Sequence, residues 1–173
     1  NTNNFNKHLL DSPEQDWNRF ESFICKPINV NKVKKIKILK RGLRSLIKKP
    51  SILFDENKQT ILLHFDMHHG YGNLKKAIDQ LEKEDRSDFY DYVNLNTKFN
   101  PHIMYISKNT ILDKWFSLLF SWLKRCEKIF GFNNLDGYGK KRIYGFLAER
   151  FLSYWFSKNY KIAEFFIIGK DLS

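Results

Sequence analysis

The sequence has few cysteines and no long apolar run, which excludes several large classes of protein. Its two cysteines, Cys25 and Cys126, are far apart and show no metal-ligand spacing. We therefore expect free, buried thiols in a reducing compartment. No apolar run reaches the roughly 18 residues that a membrane-spanning helix needs. The polar amino terminus has no apolar signal core, so the sequence predicts a cytoplasmic protein.

The common catalytic signatures are also absent from the sequence. It has no P-loop, no glycine-rich dinucleotide motif, no nucleophile elbow and no His-Glu-x-x-His zinc motif. The usual sequence support for a kinase, a Rossmann dehydrogenase, a serine hydrolase or a zinc protease is therefore missing.

Basic and aromatic residues are abundant. The chain has 173 residues, of which 30 are Lys or Arg and 19 are Asp or Glu, and its formal net charge is +11. With 16 Phe and 8 Tyr it carries enough apolar surface for a folded domain. The charge indicates acidic partners: a nucleic acid, a sugar nucleotide or an anionic membrane surface. No RNP-like motif or zinc knuckle supports nucleic acid, which is therefore the weakest of the three.

Hydrophobic periodicity predicts alternating helices and strands, and hence a mixed α/β or α+β domain. The predicted helices are 32–49, one entered at Asn73, 87–93, one begun by a Thr110–Asp113 capping box and ended at Gly131, and 139–158. The predicted strands are 51–54 and 60–65, paired as a hairpin, then 102–107 and 162–168. We divide the chain into a polar segment with a basic helix, 1–50, and an α/β domain, 51–173.

The basic helix is the first segment with a functional interpretation. Nine Lys or Arg and no acidic residue lie in 32–49, and Ile36, Leu39, Leu43, Leu46 and Ile47 keep helical spacing. It is either a solvated surface helix, a helix on an anionic inner-membrane leaflet, or a contact to a phosphate backbone. The candidate membrane-surface residues are Lys34, Lys35, Lys37, Lys40, Arg41 and Arg44.

Asp66 to Asn73 is the first candidate site. It is expected to leave a strand, pass two glycines and enter a helix capped by Asn73, an arrangement that suits a phosphate. Asp66, His68 and His69 are candidate substrate residues and candidate ligands of Mn²⁺ or Mg²⁺. The alternative is a capped turn with partly exposed histidines.

Two further candidate sites lie downstream. Asn100 and His102 lie at the start of a predicted strand, where they either bind sugar hydroxyls or satisfy the hydrogen bonds of the strand end. In 138–156, an acid–base pair interrupts an aromatic and aliphatic helix face. Glu149 is a candidate general base, and Tyr138, Arg142 and Arg150 are candidate substrate residues. The alternative is a structural ion pair.

Several blocks resemble a bacterial glycosyltransferase family of capsular-polysaccharide and exopolysaccharide biosynthesis, originally defined as a domain of unknown function. The matching blocks are LHFDMHHGYGNLKKAI (63–78), FNPHIMYIS (99–107), WFSLLFSWLKRCEKIFGF (115–132), GYGKKRIYGFLAERFLSYWF (137–156) and the final IAEFFII. The Leu-Ala-Glu-Arg block is the most specific. Together the blocks cover residues 60–168.

The resemblance implies a GT-A-like transferase, helix-rich in its carboxy-terminal half, at the cytoplasmic membrane face. It would take a nucleotide-sugar donor and extend a lipid-linked oligosaccharide or polysaccharide. Glu149 would be the base or the acid that orients the substrate. Asp66, His69, His102 and Arg150 would lie in the substrate cleft. An Mn²⁺ or Mg²⁺ ion, or an arginine, would neutralise the donor diphosphate.

The sequence departs from the family pattern in ways that keep an alternative open. Ile103 and Asn73 replace an Asn and an Asp of the family blocks, and residues 1–60 contain no His-Tyr-Arg-Arg-type strand. No convincing Asp-x-Asp is present either. The chain is therefore expected to be the carboxy-terminal portion of an enzyme or a degenerate relative. The alternative function is a non-catalytic basic module that docks on an anionic membrane or on other assembly enzymes.

Overall fold

The computed structural model describes residues 15–133 and 135–166, which adopt a mixed α/β fold. The strands are β1 (Ser22–Cys25), β2 (Ile28–Asn29), β3 (Lys98–Phe99), β4 (Tyr105–Ser107) and β5 (Ile162–Phe165). The helices are α1 (Lys35–Arg41), α2 (Leu43–Lys48), α3 (Ile61–His69), α4 (Asn73–Ile78), α5 (Lys83–Leu95), α6 (Asn109–Phe130), α7 (Tyr138–Lys141) and α8 (Ile143–Asn159). Short 3₁₀ turns lie at Gln15–Arg19, Pro50–Leu53 and Glu56–Lys58.

The strands form two small sheets that join distant parts of the chain. β1 lies at the centre of the larger sheet, antiparallel to β4 and parallel to β5. β2 and β3 form a separate antiparallel pair. All four β1 residues are buried, as expected for a central strand covered on both faces. β1 and β2, which lie in the predicted 1–50 segment, thus pair with strands from the rest of the chain.

The main core is aromatic and lies between α6 and α8. On α6, buried side chains recur at steps of three and four, which is the spacing of one helical face; they are Ile111, Trp115, Leu119, Trp122 and Cys126. The ring of Phe151 on α8 lies 5.6 Å from Trp115 and 4.8 Å from Trp122, measured between centroids. The predicted helix that ends at Gly131 is confirmed, and Gly131 adopts a positive φ of 58° there.

The predicted hairpin is wrong, because residues 61–69 form α3 and 50–53 form a 3₁₀ turn. Alternate residues of α3 are buried, from Ile61 to His69, and those between them are half-buried. A helix that is covered on nearly all sides has no single apolar stripe. The pattern of its apolar residues can therefore resemble the alternation of a strand.

The predicted basic helix is two helices, α1 and α2, separated at Gly42. A Cβ on Gly42 would approach the Ile38 carbonyl oxygen at 3.0 Å and Met67 Cγ at 3.3 Å, so the chain packs closely against α3 here. Only Ile38 and Leu46 are buried on these two helices. The remaining apolar residues of the predicted stripe are exposed: Ile36 (61%), Leu39 (48%), Leu43 (52%) and Ile47 (71%).

Both predicted helix caps are wrong. Gly72 is the cap residue of α4, and the Asn73 side chain instead donates to the carbonyl oxygen of His69, at the end of α3. α6 begins at Asn109 after Lys108, with no hydrogen bond from a capping side chain. Both cap predictions depend on residue type. The cap residue of α4 lies one position before the predicted cap, and that of α6 lies two positions before it.

Other predicted boundaries are shifted by a few residues. α5 extends beyond the predicted 87–93, and β4 is shorter than the predicted 102–107. The predicted helix 139–158 is divided at Arg142 into α7 and α8. Positions 167 and 168 of the last predicted strand, and positions 1–14 of the predicted polar segment, lie outside the described residues.

Two further predictions concern membrane crossing and the thiols. Within residues 15–133 and 135–166, no helix has both the length and the apolarity needed to cross a bilayer. Cys25 and Cys126 are free and buried, as the sequence predicts.

Candidate functional site

The acid–base pair of α8 is an ion pair whose cation is buried. Arg150 Nη1 donates to Glu149 Oε2 at 2.7 Å. The Arg150 side chain is 2% exposed and the Glu149 side chain 18%. A charge this deeply buried is costly unless it is paired and hydrogen-bonded, and Glu149 supplies the pairing.

Aromatic rings surround the Arg150 guanidinium. It lies 4.0 Å from the ring centroid of Phe99, 5.6 Å from that of Phe65 and 5.8 Å from that of Phe146. Burial lowers the pKa of Arg150 to about 10, against the opposing effect of the Glu149 carboxylate. The group stays positive at neutral pH. Its Nε is buried without a hydrogen-bond partner among the described residues.

α3 brings three histidines to this pair. His64 Nδ1 accepts from Arg150 Nη2 at 3.2 Å, so that nitrogen carries no proton. His68 Nδ1 donates to the His64 carbonyl oxygen at 2.8 Å, and His69 Nδ1 donates to the Gly139 carbonyl oxygen at 3.1 Å. In neutral His68 and His69, the remaining Nε2 is therefore a hydrogen-bond acceptor.

All three imidazoles are neutral at pH 7. Burial, reinforced by the Arg150 charge, lowers the pKa of His64 to about 3 and that of His69 to about 4. Burial also lowers the pKa of His68. Neutral imidazoles beside a carboxylate give this region acceptors for hydroxyl groups without adding positive charge.

The ion pair and the histidines line an open cavity of about 710 Å³, which we call the main cavity. Six of the candidate catalytic and substrate residues line it: His68, His69, His102, Tyr138, Glu149 and Arg150. They come from α3, α7, α8 and the loop after β3. A volume of this size is in the range of small-molecule sites, and a mixture of aromatic walls and a few polar groups is typical of them.

Arg142 lies at the edge of the main cavity without lining it. Its guanidinium donates to the Tyr138 hydroxyl and lies 5.2 Å from the Tyr138 ring and 5.6 Å from the Phe146 ring. Both aromatic residues line the cavity. Arg142 thus contacts two aromatic residues that form part of the wall of the main cavity.

Asn100 and Asp66 are not brought into the main cavity. Asn100 is 4% exposed, and its side chain donates to the Cys25 carbonyl oxygen at 2.6 Å, which ties the loop after β3 to β1. Asp66 Oδ1 accepts from the Gly72 backbone N–H at 2.9 Å and closes the turn between α3 and α4. Burial raises the pKa of Asp66 to about 6. Their roles in substrate binding stay predictions.

Asp66, His68 and His69 do not assemble as metal ligands. Across 15–133 and 135–166, no three His, Cys, Asp or Glu side chains are grouped in a way that could hold a metal ion. Asp66 is directed to the Gly72 turn, and the His69 ring stacks on Phe146 with centroids 4.0 Å apart. A requirement for Mn²⁺ or Mg²⁺ stays a prediction.

Several residues of this cavity are not among the candidates predicted from the sequence. His64, Phe99 and Phe146 line it, and so does Arg41, which was assigned only to the membrane surface. The sequence signal for His64 is its four-residue spacing from His68, which indicates a shared helical face. The prediction of 60–65 as a strand hides that signal.

Comparison with known proteins identifies one family. The family described as "Domain of unknown function (DUF4422)" matches residues 16–160. The chain belongs to the DUF4422 family. The match includes every residue of the main cavity named above. No curated protein and no solved structure matches this DUF4422 protein.

Proposed function

We propose that this DUF4422 protein is a glycosyltransferase, or the acceptor-side half of one, with a GT-A-like arrangement. It transfers a sugar from a nucleotide-sugar donor to a lipid-linked or growing surface polysaccharide. The observation that carries the proposal is the Glu149 carboxylate at the main cavity, hydrogen-bonded to a buried arginine. The sequence resemblance and the net charge of +11, which suits a phosphorylated donor, add support.

Glu149 is the proposed general base, because it lines the main cavity. In the proposed reaction the acceptor hydroxyl gives its proton to the Glu149 carboxylate while the hydroxyl oxygen bonds to the anomeric carbon. The bond from that carbon to the diphosphate oxygen breaks, and the diphosphate leaves with the electron pair. Arg150 positions the carboxylate through its 2.7 Å hydrogen bond. Because only one carboxylate oxygen is needed for that bond, the other is available to the substrate.

The neighbouring groups suit a sugar. The neutral His68 and His69 rings present acceptor nitrogens for sugar hydroxyls. Tyr138, whose ring is largely exposed, offers an aromatic face to the C–H face of a sugar ring. Each group contacts substrate without changing its own charge state.

The test uses the purified full chain and a panel of UDP-, GDP- and CMP-sugars, with and without Mn²⁺. Calorimetry measures donor binding, and product analysis with an oligosaccharide acceptor measures transfer. Glu149→Gln should keep the fold and donor binding and lose transfer. Glu127→Gln, an exposed carboxylate outside the cavity, is the matched control and should transfer normally. Transfer by Glu149→Gln at the wild-type rate would remove Glu149 as the base.

A second candidate, the non-catalytic module, is favoured by the surface of α1 and α2. Ile36 and Ile47 are more than half exposed among nine basic residues, so an apolar and cationic surface faces outward. Such a surface suits an anionic bilayer, where each Lys or Arg contributes about 1 kcal/mol. In both candidates the protein binds peripherally at the cytoplasmic face of the plasma membrane. Nucleic acid is not an expected partner.

Vesicle co-sedimentation tests this surface. Reversing the charges of Lys34, Lys35, Lys37 and Lys40 should weaken binding to phosphatidylglycerol vesicles, and wild-type protein should not bind neutral vesicles. Reversal of Lys75, Lys76, Lys124 and Lys128, which are exposed on other helices, is the control for net charge. If both variants lose vesicle binding equally, the binding depends only on net charge, and α1 and α2 are not the docking surface.

A further inference from the structure

A second cavity, of about 530 Å³, adjoins the main cavity. Arg41, Met67, His68, Tyr138 and Gly139 line both, so the two share a wall. Of the two, the main cavity alone is lined by Glu149, His64 and His69, and the second cavity alone is lined by residues of α2. A ligand that occupies both would place chemically different parts in each.

The second cavity is lined by four cations from three helices: Lys40 and Arg41 of α1, Arg44 of α2 and Lys140 of α7. In the part of the chain that the structure describes, none of the four forms an ion pair. Arg44 lies 5.9 Å from the ring centroid of Tyr71, which leaves its N–H groups available to a ligand.

The two carboxylates beside this cavity are already hydrogen-bonded to their own turns. Asp66 Oδ1 accepts from the Gly72 N–H at 2.9 Å, and Asp136 Oδ1 accepts from the Gly137 N–H at 2.8 Å. Among the described residues, neither carboxylate forms an ion pair with the four cations. Four cations against two carboxylates leave the cavity with an excess of positive charge that attracts an anion.

The wall that carries Lys140 is held in a fixed position. Gly139 approaches α3 so closely that a Cβ on it would lie 2.1 Å from the His68 carbonyl oxygen. Its carbonyl oxygen accepts from His69 Nδ1 at 3.1 Å. Because the backbone on either side of the cavity is tied together, Lys140 faces α1 and α2 from a defined position.

We infer that the second cavity binds the diphosphate group of a substrate whose sugar lies in the main cavity. This assignment rests on the proposed transfer reaction. Cations that come from three different helices suit an anion with several oxygens, such as a diphosphate. The diphosphate belongs either to the nucleotide-sugar donor or to a lipid-linked acceptor, since the two share this group.

Calorimetry on the purified full chain tests the assignment with three probes: UDP, inorganic pyrophosphate and farnesyl diphosphate. Wild-type protein should bind pyrophosphate. Arg44→Ala and Lys140→Ala should each weaken that binding about tenfold, the usual effect of losing one charge-assisted contact. Arg44→Lys should recover part of it. Lys128→Ala, an exposed lysine at the end of α6, is the control and should bind like wild type.

The outcomes separate the two sources of the diphosphate. Stronger binding of UDP than of farnesyl diphosphate assigns the cavity to the donor, and the reverse order assigns it to the lipid-linked acceptor. No binding of pyrophosphate, or equal losses in Arg44→Ala, Lys140→Ala and Lys128→Ala, would overturn the assignment.

Failure of the proposed function is distinguishable from failure of this assignment. Pyrophosphate binding that depends on Arg44 and Lys140, without any sugar transfer, would support the cavity and reject the transferase. Sugar transfer with pyrophosphate binding that is insensitive to these variants would reject only the cavity.

Discussion

Arg150 Nη1 bonds to Glu149 Oε2 at 2.7 Å, although the two residues are neighbours on α8. Adjacent helical residues do not face each other, so this contact needs the arginine side chain to bend toward its neighbour. Phe99, 4.0 Å from the guanidinium, and His64, at 3.2 Å, hold it in that position from other elements. The helix alone does not make the pair.

Removing the guanidinium should destabilise the fold. Arg150→Ala is expected to lower the free energy of unfolding by about 3–5 kcal/mol, because it leaves a space among aromatic rings and an unpaired Glu149. Arg150→Met should cost less, since methionine fills most of that space. Chemical denaturation measures both variants. A cost below about 1 kcal/mol for Arg150→Ala would show that the pair contributes little to stability.

Much of the cavity could be predicted, because several of its residues are charged or ligand-type residues that can be recognised in the sequence. Glu149 and Arg150 stand out as charges beside an apolar helix face, and His68 and His69 as ligand-type residues beside glycines. Phe99 and Phe146 could not be predicted as cavity residues, because they are ordinary core types whose proximity depends on the fold.

The errors in predicted structure arise where tertiary packing overrides local pattern. α3 is surrounded by neighbouring elements, so the alternation at 61–65 gives no helical stripe. The apolar positions Ile36 and Ile47 keep helical spacing, yet they face solvent because the chain turns at Gly42. The predicted helix that ends at Gly131 agrees well with α6, because its apolar stripe extends over most of the helix and packs against one aromatic core.

Gly139 should tolerate no side chain, in contrast to Gly145. Gly139→Ala is expected to lower the free energy of unfolding by about 1–3 kcal/mol, because its Cβ would meet the His68 carbonyl oxygen at 2.1 Å. Gly145 is exposed within α8 and has nothing within 4 Å of such a Cβ. Gly145→Ala should therefore raise that free energy by about 0.5–1 kcal/mol. Equal effects of the two substitutions would contradict the close approach at Gly139.

The two thiols should be unreactive in the native protein. Burial raises the pKa of Cys25 to about 11 and that of Cys126 to about 12, so little thiolate exists at pH 8. Ellman's reagent should give almost no signal from native protein at that pH and two thiols per chain after unfolding in guanidinium. Rapid labelling of the native protein would show that one of the sites opens to solvent.

Stability should fall in mild acid because of the buried histidines. The pKa values of His64 and His69 are lowered from 6.5 to about 3 and about 4, so the unfolded chain takes up these protons first as the pH falls. The stabilising contribution is complete above pH 6.5 and is lost on the way down to about 3. Asp66 acts in the opposite direction, because its pKa is raised from 3.8 to about 6 and the folded state binds its proton first.

The two histidine shifts together exceed the Asp66 shift, so the free energy of unfolding should decrease from pH 6.5 to pH 4. His64→Asn keeps an acceptor for Arg150 but removes the imidazole proton site, and should reduce that decrease. His102→Asn changes an exposed histidine with a φ of 66°, which asparagine accepts, and should leave the decrease unchanged. Urea unfolding at a series of pH values measures all three proteins. If His64→Asn and wild type lose stability in parallel, the acid sensitivity originates outside His64.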